Sequence, residues 1–228
     1  MREAMANAEV GDEQRREDPT VNELERRVAE LLGQEEAVYV PTATMANEIA
    51  LRCLAEPGDE LIAEENCHIF LSELGGPAVF AGLMARPVRG VAGRFGPDEI
   101  ERTARPGDGT HTPATRIVAI ENTHNTSGGR VWPLEEIAAL IGICRELGLS
   151  VHLDGARVLN ASVAEAQQDR LHGVTVSGVE ERFHRSVAGA RLVREAQRRE
   201  RNLVGQRASQ GCWEVRHLVV SRRSAGRP

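Results

Sequence analysis

Apolar residues in the first two thirds of the chain follow two spacings, one typical of helices and one typical of strands. The segment 17–33, EDPTVNELERRVAELLG, repeats apolar residues every three or four positions, which predicts an amphipathic helix. Thr20 and Glu23 have the spacing of a reciprocal N-terminal cap, so we expect this helix to begin at Thr20. A second strong helix is predicted for PLEEIAALIGICRELGL, which begins at Pro133.

Short apolar runs between the helical segments predict strands. These runs are EAVYV, LIAEE, LMARPVRG, TRIVAIEN and SVHLD, and further helices are predicted for PTATMANEIALRCLA and PDEIERT. Regular alternation of strands and helices is typical of an α/β domain with a mainly parallel sheet. Such sheets bind ligands at the carboxyl ends of their strands.

Polar residues cluster at three predicted strand ends, in TATMAN, ENTHNTSGG and DGAR. Thr44 lies where a loop meets a helix N-terminus, a position that suits either a phosphate ligand or a helix cap. His68 and His124 follow predicted strands, where a histidine can act in catalysis or simply pack or cap. Asp154 ends an apolar strand and can cap the next helix or bind a cation, and Arg157 follows three residues later.

Together these clusters outline a site for pyridoxal phosphate. That cofactor needs a phosphate cradle, a flat group against its ring and a carboxylate on its ring nitrogen, and a lysine carries it as a Schiff base. The carboxylate keeps the ring nitrogen protonated. The ring can then take up the electron pair that is left when a bond to the substrate Cα breaks.

Five sequence motifs resemble those of a known enzyme family. Residues 1–164 resemble the low-specificity threonine aldolases, which are fold-type I pyridoxal phosphate enzymes grouped with the aromatic amino acid β-eliminating lyases. In chain order the motifs are EDPTVNELERRVAELLG, TMAN, HIF followed by E and GG, ENTHN followed by SGGRVWPLEEI, and HLDGAR. The resemblance implies a large α/β domain with a mainly parallel sheet and a homo-oligomer, either dimer or tetramer.

The resemblance also implies which residues bind the cofactor. Ala43 and Thr44 would hold its phosphate, although Ala43 stands where the family usually has glycine. His68 would stack on the pyridine ring, and Asp154 would pair with the ring nitrogen. Arg157 would lie near the ring oxygen.

The implied reaction is retro-aldol cleavage of a β-hydroxy amino acid, such as threonine, to glycine and an aldehyde. Arg157 would also lie near the substrate carboxylate, and His124 would sit by the β-hydroxyl. Either His68 or His124 would take the hydroxyl proton. Two alternatives stay open: a β-eliminating lyase that acts on an aromatic amino acid, and a catalytically inactive binding or scaffold homologue.

Composition narrows the classes of function. The net charge of −6 argues against nucleic acid as the main partner. The longest apolar run, 137–143, is too short to span a bilayer, and the first residues lack the pattern of a secretory signal. The four cysteines have neither zinc-ligand nor disulfide-framework spacing. We therefore expect a cytoplasmic protein that acts on a small amino acid, with no nucleic acid, membrane or metal partner.

The C-terminal quarter of the chain differs in charge from the rest. Residues 1–164 carry 15 arginines against 27 acidic residues, whereas residues 165–228 carry 13 arginines against 7. We interpret 165–228 as a divergent arginine-rich tail that replaces the small C-terminal domain of the family. If the tail is translated out of frame, we expect it to be disordered or at most a lone helix.

The chain contains no lysine, since all 28 basic residues are arginine. The family lysine is expected near residues 180–185, and arginine cannot replace it because its guanidinium stays protonated. A shift of reading frame is one hypothesis: codons GTC-GAA-GAA for Val179, Glu180 and Glu181 give Ser-Lys when they are read one base later. On this interpretation the chain is impaired as an enzyme.

Overall fold

The structure is a computed structural model, which describes residues 2–32, 34, 36–166 and 217–221. Helices and strands alternate along most of it, as the sequence pattern predicts. In chain order they are α1 (Arg2–Ala6), α2 (Pro19–Leu31), β1 (Glu36–Val40), α3 (Ala43–Leu54), β2 (Glu60–Glu64), α4 (His68–Leu71), α5 (Gly76–Val79), β3 (Met84–Val88), α6 (Pro97–Thr103), β4 (Thr115–Glu121), α7 (Leu134–Glu146), β5 (Ser150–Asp154), α8 (Val158–Ala166) and β6 (His217–Ser221), with a 3₁₀ turn at Glu13–Arg15.

Four strands form a parallel sheet in the order β3-β2-β4-β5. Strand β2 pairs with β3 on one side and with β4 on the other, and β4 pairs with β5. Strand β1 lies outside this sheet and pairs antiparallel with β6. The predicted α/β class with a mainly parallel sheet is confirmed.

Helices cover both faces of the parallel sheet. Because successive strand residues point to opposite faces, Leu61 and Ile62 of β2 enter two different hydrophobic clusters. One cluster packs the sheet against α3 and α4 through Leu51 and Ile69, and the other packs it against α7 through Leu140. Burial on both faces explains why these strands are almost continuously apolar. Among the described helices, none is long and apolar enough to cross a membrane.

Helix α2 begins at a different cap from the one that the sequence predicts. The Asp18 carboxylate accepts a hydrogen bond from the Val21 backbone N–H at 2.9 Å, and Pro19 is the first helical residue. Thr20 Oγ1 donates instead to the Glu9 carbonyl. The prediction of a Thr20 cap was therefore wrong, because a carboxylate just before a proline takes that position.

Helix α3 carries the residues predicted to bind phosphate, and it begins after Thr42. Thr42 Oγ1 accepts from the Met45 backbone N–H at 3.1 Å, which makes Thr42 the cap. Thr44 lies inside the first turn. The interpretation of Thr44 as the helix cap was therefore wrong, and its hydroxyl does not serve that purpose.

Most of the predicted tail, 165–228, lies outside the described residues. The described part of the tail consists of the last residues of α8 and of strand β6. Strand β6 pairs with β1, from Val40 and His217 to Glu36 and Ser221. The expectation of a tail that is at most a lone helix was wrong for these residues, because their backbone pairs with that of β1. The positions of the frame-shift hypothesis and of the expected lysine also lie outside the described residues. The division of the chain at residue 164 stays a prediction.

Candidate active site

Three neighbouring strands of the parallel sheet end in a carboxylate. Glu64, Glu121 and Asp154 are the last residues of β2, β4 and β5, and Glu121 lies opposite Asp154 in the sheet register. All three residues are buried. Since a buried carboxylate needs donors or a cation, this edge of the sheet concentrates the polar chemistry of the fold.

The Asp154 carboxylate is held from two sides. Its Oδ1 accepts from the Ala156 backbone N–H at 3.1 Å, and its Oδ2 accepts from Asn47 Nδ2 at 3.0 Å. Asn47 lies on α3 about one helical turn after Ala43 and Thr44. The predicted partner of the ring nitrogen and the predicted phosphate-binding turn are therefore neighbours. Helix α8 begins four residues after Asp154, so this carboxylate is not its cap.

Asn47 connects Asp154 to a second buried carboxylate. The same Nδ2 donates to Glu73 Oε1 at 2.7 Å, and Asn47 Oδ1 lies 2.9 Å from His152 Nε2. Because Nδ2 faces two carboxylates, Oδ1 faces His152, whose Nε2 must carry the hydrogen. Burial lowers the pKa of His152, against the opposite effect of the nearby Asp154 and Glu73, and this favours the neutral ring.

His68 is the first residue of α4 and reaches the same cluster. Its Nδ1 lies 2.8 Å from Glu73 Oε1, and its backbone N–H donates to Glu121 Oε2 at 2.8 Å. The His68 side chain is 32% exposed, whereas that of Glu73 has no exposed surface. The imidazole is therefore the member of this pair that a ligand can reach.

His68, Glu73 and Asp154 form a compact group of potential ligands. One nitrogen or oxygen atom from each lies within 4.8 Å of the others, so the three could also hold a metal ion. One oxygen of each carboxylate already accepts a hydrogen bond from Asn47. The other oxygen of Glu73, Oε2, is buried and has no hydrogen-bond partner among the described residues.

His124 lies in a separate, enclosed position. The residue is fully buried, and its Nε2 lies 3.2 Å from Glu64 Oε2 and 3.8 Å from Glu121 Oε2. Neither contact has the geometry of a hydrogen bond. The ring packs so closely on Gly93 that a Cβ there would lie 2.2 Å from His124 Cγ. The structure does not bring His124 into the cluster around His68, although Glu121 contacts both residues.

Arg157 is exposed on the turn that precedes α8. Its backbone carbonyl accepts from the Ala161 N–H. Among the described residues, no carboxylate forms an ion pair with its guanidinium. The side chain is thus accessible to a negatively charged ligand near the end of β5.

Three members of the cluster received no role from the sequence: Asn47 in TMAN, Glu73 in HIFLSELGG and His152 in HLDGAR. Strand alternation places His152 on the same face as Asp154, and this signal could have identified it. No local signal pairs Asn47 with Asp154, because 107 positions separate them. Only the packing of α3 against β5 brings them together.

Comparison with known proteins agrees with this geometry. The sequence pattern of the family described as beta-eliminating lyase matches residues 1–180. The chain belongs to the beta-eliminating lyase family. It is similar to low-specificity L-threonine aldolase 1 of Arabidopsis thaliana, with 40% identity over 167 residues that cover 72% of this chain and 47% of that protein. It is also similar to the low specificity L-threonine aldolase of Escherichia coli strain K12, with 41% identity over 165 residues that cover 72% and 48%.

A solved structure of the same kind supports the family's fold. The threonine aldolase of Leishmania major superposes with a TM-score of 0.58 at 26% identity, over 64% of this chain and 42% of that one. The chain spans about half the length of the curated relatives it matches. The resemblance drawn from the five motifs is confirmed.

Proposed function

We propose that this site binds pyridoxal phosphate and serves an aldolase that cleaves L-threonine or related β-hydroxy amino acids to glycine and an aldehyde. The buried Asp154 carboxylate carries the proposal, because it stands at the end of β5 beside the first turn of α3 and the imidazole of His68. The similarity of the chain to two low-specificity L-threonine aldolases supports the same reaction.

The described residues fit that cofactor. Asp154 has the charge that a protonated ring nitrogen needs, and two hydrogen bonds fix its direction. Glu73 Oε2 is a buried oxygen without a partner among the residues that the structure describes, so one acceptor of the cluster is not yet used. Ala43 and Thr44 are the first residues of α3, where backbone N–H groups precede the helical ladder and can donate to a phosphate.

When bound, pyridoxal phosphate supplies an electron sink for the pair that is released as a bond to the substrate Cα breaks. Asp154 would hold the proton on the ring nitrogen. Ala43 and Thr44 would hold the phosphate, and His68 would lie against the ring. Arg157 would bind the substrate carboxylate, for which a planar guanidinium offers paired donors.

His68 is the base that we favour for the substrate hydroxyl. Glu73 holds its Nδ1, and a neutral ring that donates from Nδ1 keeps its lone pair on Nε2. His124 stays the second candidate, but it is fully buried and faces Glu64. We therefore propose that His124 acts through Glu121, the carboxylate that also accepts from the His68 backbone.

The absence of lysine from the 228 residues favours a second candidate function. Without a side-chain amine the cofactor can bind this chain only noncovalently, or on the α-amino group at the N-terminus. The rapid exchange of cofactor between lysine and substrate is then lost. This chain would act as a slow aldolase, or as an inactive homologue that binds the cofactor.

A product assay on the purified 228-residue protein tests the proposal. With pyridoxal phosphate and L-threonine we expect glycine and acetaldehyde in equal amounts, and we expect Asp154→Asn to abolish both. Thr115→Val is the control, because Thr115 is buried at the opposite end of β4 and bonds to Glu60 there. This control should keep the activity.

The other outcomes of the assay separate the alternatives. Pyruvate and ammonia formed from an aromatic amino acid would support a β-eliminating lyase. Cofactor binding without any product would support the inactive homologue. Failure of the wild-type protein to bind pyridoxal phosphate would reject the proposal.

The proposal extends to the oligomeric state and the cellular compartment of the protein. We expect a homo-oligomer, dimer or tetramer, in the cytoplasm. Cys53, Cys67 and Cys144 are free thiols, as a reducing compartment allows. Burial raises the pKa of both Cys67 and Cys144 to about 12, so these two thiols are unreactive at neutral pH.

A further inference from the structure

We propose that Asn47 is a positioning residue for the cofactor site, and that His152 holds it in place. Its side-chain amide fixes the direction of the Asp154 carboxylate and of Glu73. Through Glu73 it also fixes the imidazole of His68. The inference rests on the proposed cofactor function and identifies the residue that orients both partners of the cofactor ring.

The hydrogen bonds of the Asn47 amide leave it one orientation. Its Nδ2 donates to Glu73 Oε1 at 2.7 Å and to Asp154 Oδ2 at 3.0 Å, while its Oδ1 accepts from His152 Nε2 at 2.9 Å. Rotating the amide by half a turn would place Oδ1 against two carboxylate oxygens and Nδ2 against an N–H group. All four residues are buried, so water cannot replace a lost bond easily.

The same amide lies between two acidic groups that would otherwise face each other. One carboxylate oxygen of Asp154 and one of Glu73 lie within 4.8 Å of each other. Asn47 Nδ2 donates one hydrogen bond to each carboxylate. The amide therefore fixes the direction of Asp154 and holds Glu73 Oε1 where His68 Nδ1 also reaches it.

Asn47 also joins segments that are distant in the sequence. It lies on α3, whereas Asp154 and His152 belong to β5, 107 and 105 positions away, and Glu73 follows α4, 26 positions away. Asn47 would stabilise the fold whether it only joins these segments or also positions Asp154. Only a positioning residue would change the proton affinity of a bound ring nitrogen.

The test measures that proton directly. Pyridoxal phosphate labelled with ¹⁵N in its ring is bound to the full-length protein, and the ¹⁵N chemical shift is followed against pH. A correctly directed Asp154 carboxylate raises the pKa of the ring nitrogen. We expect Asn47→Leu to lower that pKa by at least about one unit, a tenfold loss of preference for the protonated ring.

His152 provides a milder pair of variants in case Asn47→Leu does not fold. His152→Leu removes the donor to Asn47 and should lower the ring pKa, whereas His152→Gln retains an N–H donor and should restore much of it. In an Asn47→Leu background, His152→Leu should add no further shift, because it acts through Asn47. Thr115→Val, at the other end of the sheet, should change stability without moving the ring pKa.

The outcomes separate this inference from the proposed function. If Asp154→Asn lowers the ring pKa but Asn47→Leu and His152→Leu leave it unchanged, the positioning role is wrong and the cofactor function stands. If the wild-type protein does not bind the cofactor, or holds its ring with the pKa of the free compound, the proposed function fails first.

Discussion

At the level of single residues, substitutions of His68 and of His124 should affect the reaction rate differently. His68 contacts the cluster and is partly exposed, whereas His124 is buried behind Glu121. If His68 is the base, its loss removes a group that touches the substrate. If His124 acts through Glu121, its loss shifts a neighbour and leaves the base present.

We therefore predict that His68→Gln lowers the rate of glycine release from L-threonine about 100-fold or more, the lower end of the range for a general base, and that His124→Gln lowers it less. The measurement is kcat and KM for both variants with saturating pyridoxal phosphate. Equal losses would show that the burial of His124 does not keep it from the reaction.

Gly93 predicts a second effect at this scale. Its φ of +82° suits glycine, and an added Cβ would lie 2.2 Å from His124 Cγ. Gly58 has a similar φ of +97° but open space around it. In both Gly93→Ala and Gly58→Ala the left-handed backbone conformation should cost about 1–3 kcal/mol. Only Gly93→Ala also creates a clash, so it should lower the free energy of unfolding more than Gly58→Ala. Urea denaturation of both variants measures the difference, and equal losses would mean that the ring moves aside freely.

At the scale of elements, the first turn of α3 combines a cap and a predicted phosphate site. Thr42 caps the helix, and Thr44 lies within the turn. We predict that Thr42→Ala lowers the free energy of unfolding by about 0.5–2 kcal/mol, the usual cost of a lost cap. Thr44→Ala should leave stability nearly unchanged and weaken binding of pyridoxal phosphate. If Thr44→Ala lowers stability but leaves the affinity for pyridoxal phosphate unchanged, Thr44 does not bind the phosphate.

Strand β5 carries a buried histidine, which predicts a pH dependence of stability. Burial lowers the folded-state pKa of His152 below its ordinary value of 6.5. As the pH falls below 6.5, the unfolded chain binds a proton that the folded chain excludes, so stability is lost toward acid. The free energy of unfolding, measured by urea from about pH 5 to about pH 8, should fall toward acid less steeply in His152→Gln than in the wild type. Parallel curves would exclude this contribution.

The sequence predicts features that depend on neighbouring residues better than contacts between residues that are far apart in the chain. Strand and helix positions follow local periodicity, so the parallel sheet and the strand-end placement of Asp154 were predicted correctly. The N-cap residues of α2 and α3 were predicted wrongly. Asp18 and Thr42 are the caps, but a threonine two residues later could cap each helix equally well by sequence, and only the backbone geometry distinguishes them. The link from Asn47 to Asp154 depends on packing between α3 and β5, which no local pattern contains.

At the scale of the whole molecule, the absence of lysine predicts a chemical result. Borohydride reduction of the protein with bound pyridoxal phosphate should fix no cofactor to any side chain, since the 228 residues include no lysine. Peptide mass spectrometry should find a reduced adduct at most on the N-terminal amine. An adduct on a lysine within the region of residues 1–228 would show that the translated sequence differs from the printed one, as the frame-shift hypothesis supposes. Sequencing the gene across codons 165–185 then identifies the frame.

The proposed function depends most on one contact, between the Asp154 carboxylate and the ring nitrogen of a pyridoxal phosphate bound at the end of β5. The most direct test is the equilibrium dissociation constant of pyridoxal phosphate for the wild-type protein and for Asp154→Asn, with circular dichroism to establish that both are folded. We predict that the variant binds at least about tenfold more weakly, a loss of about 1.4 kcal/mol. Equal affinity in the two folded proteins would show that Asp154 does not hold the ring nitrogen.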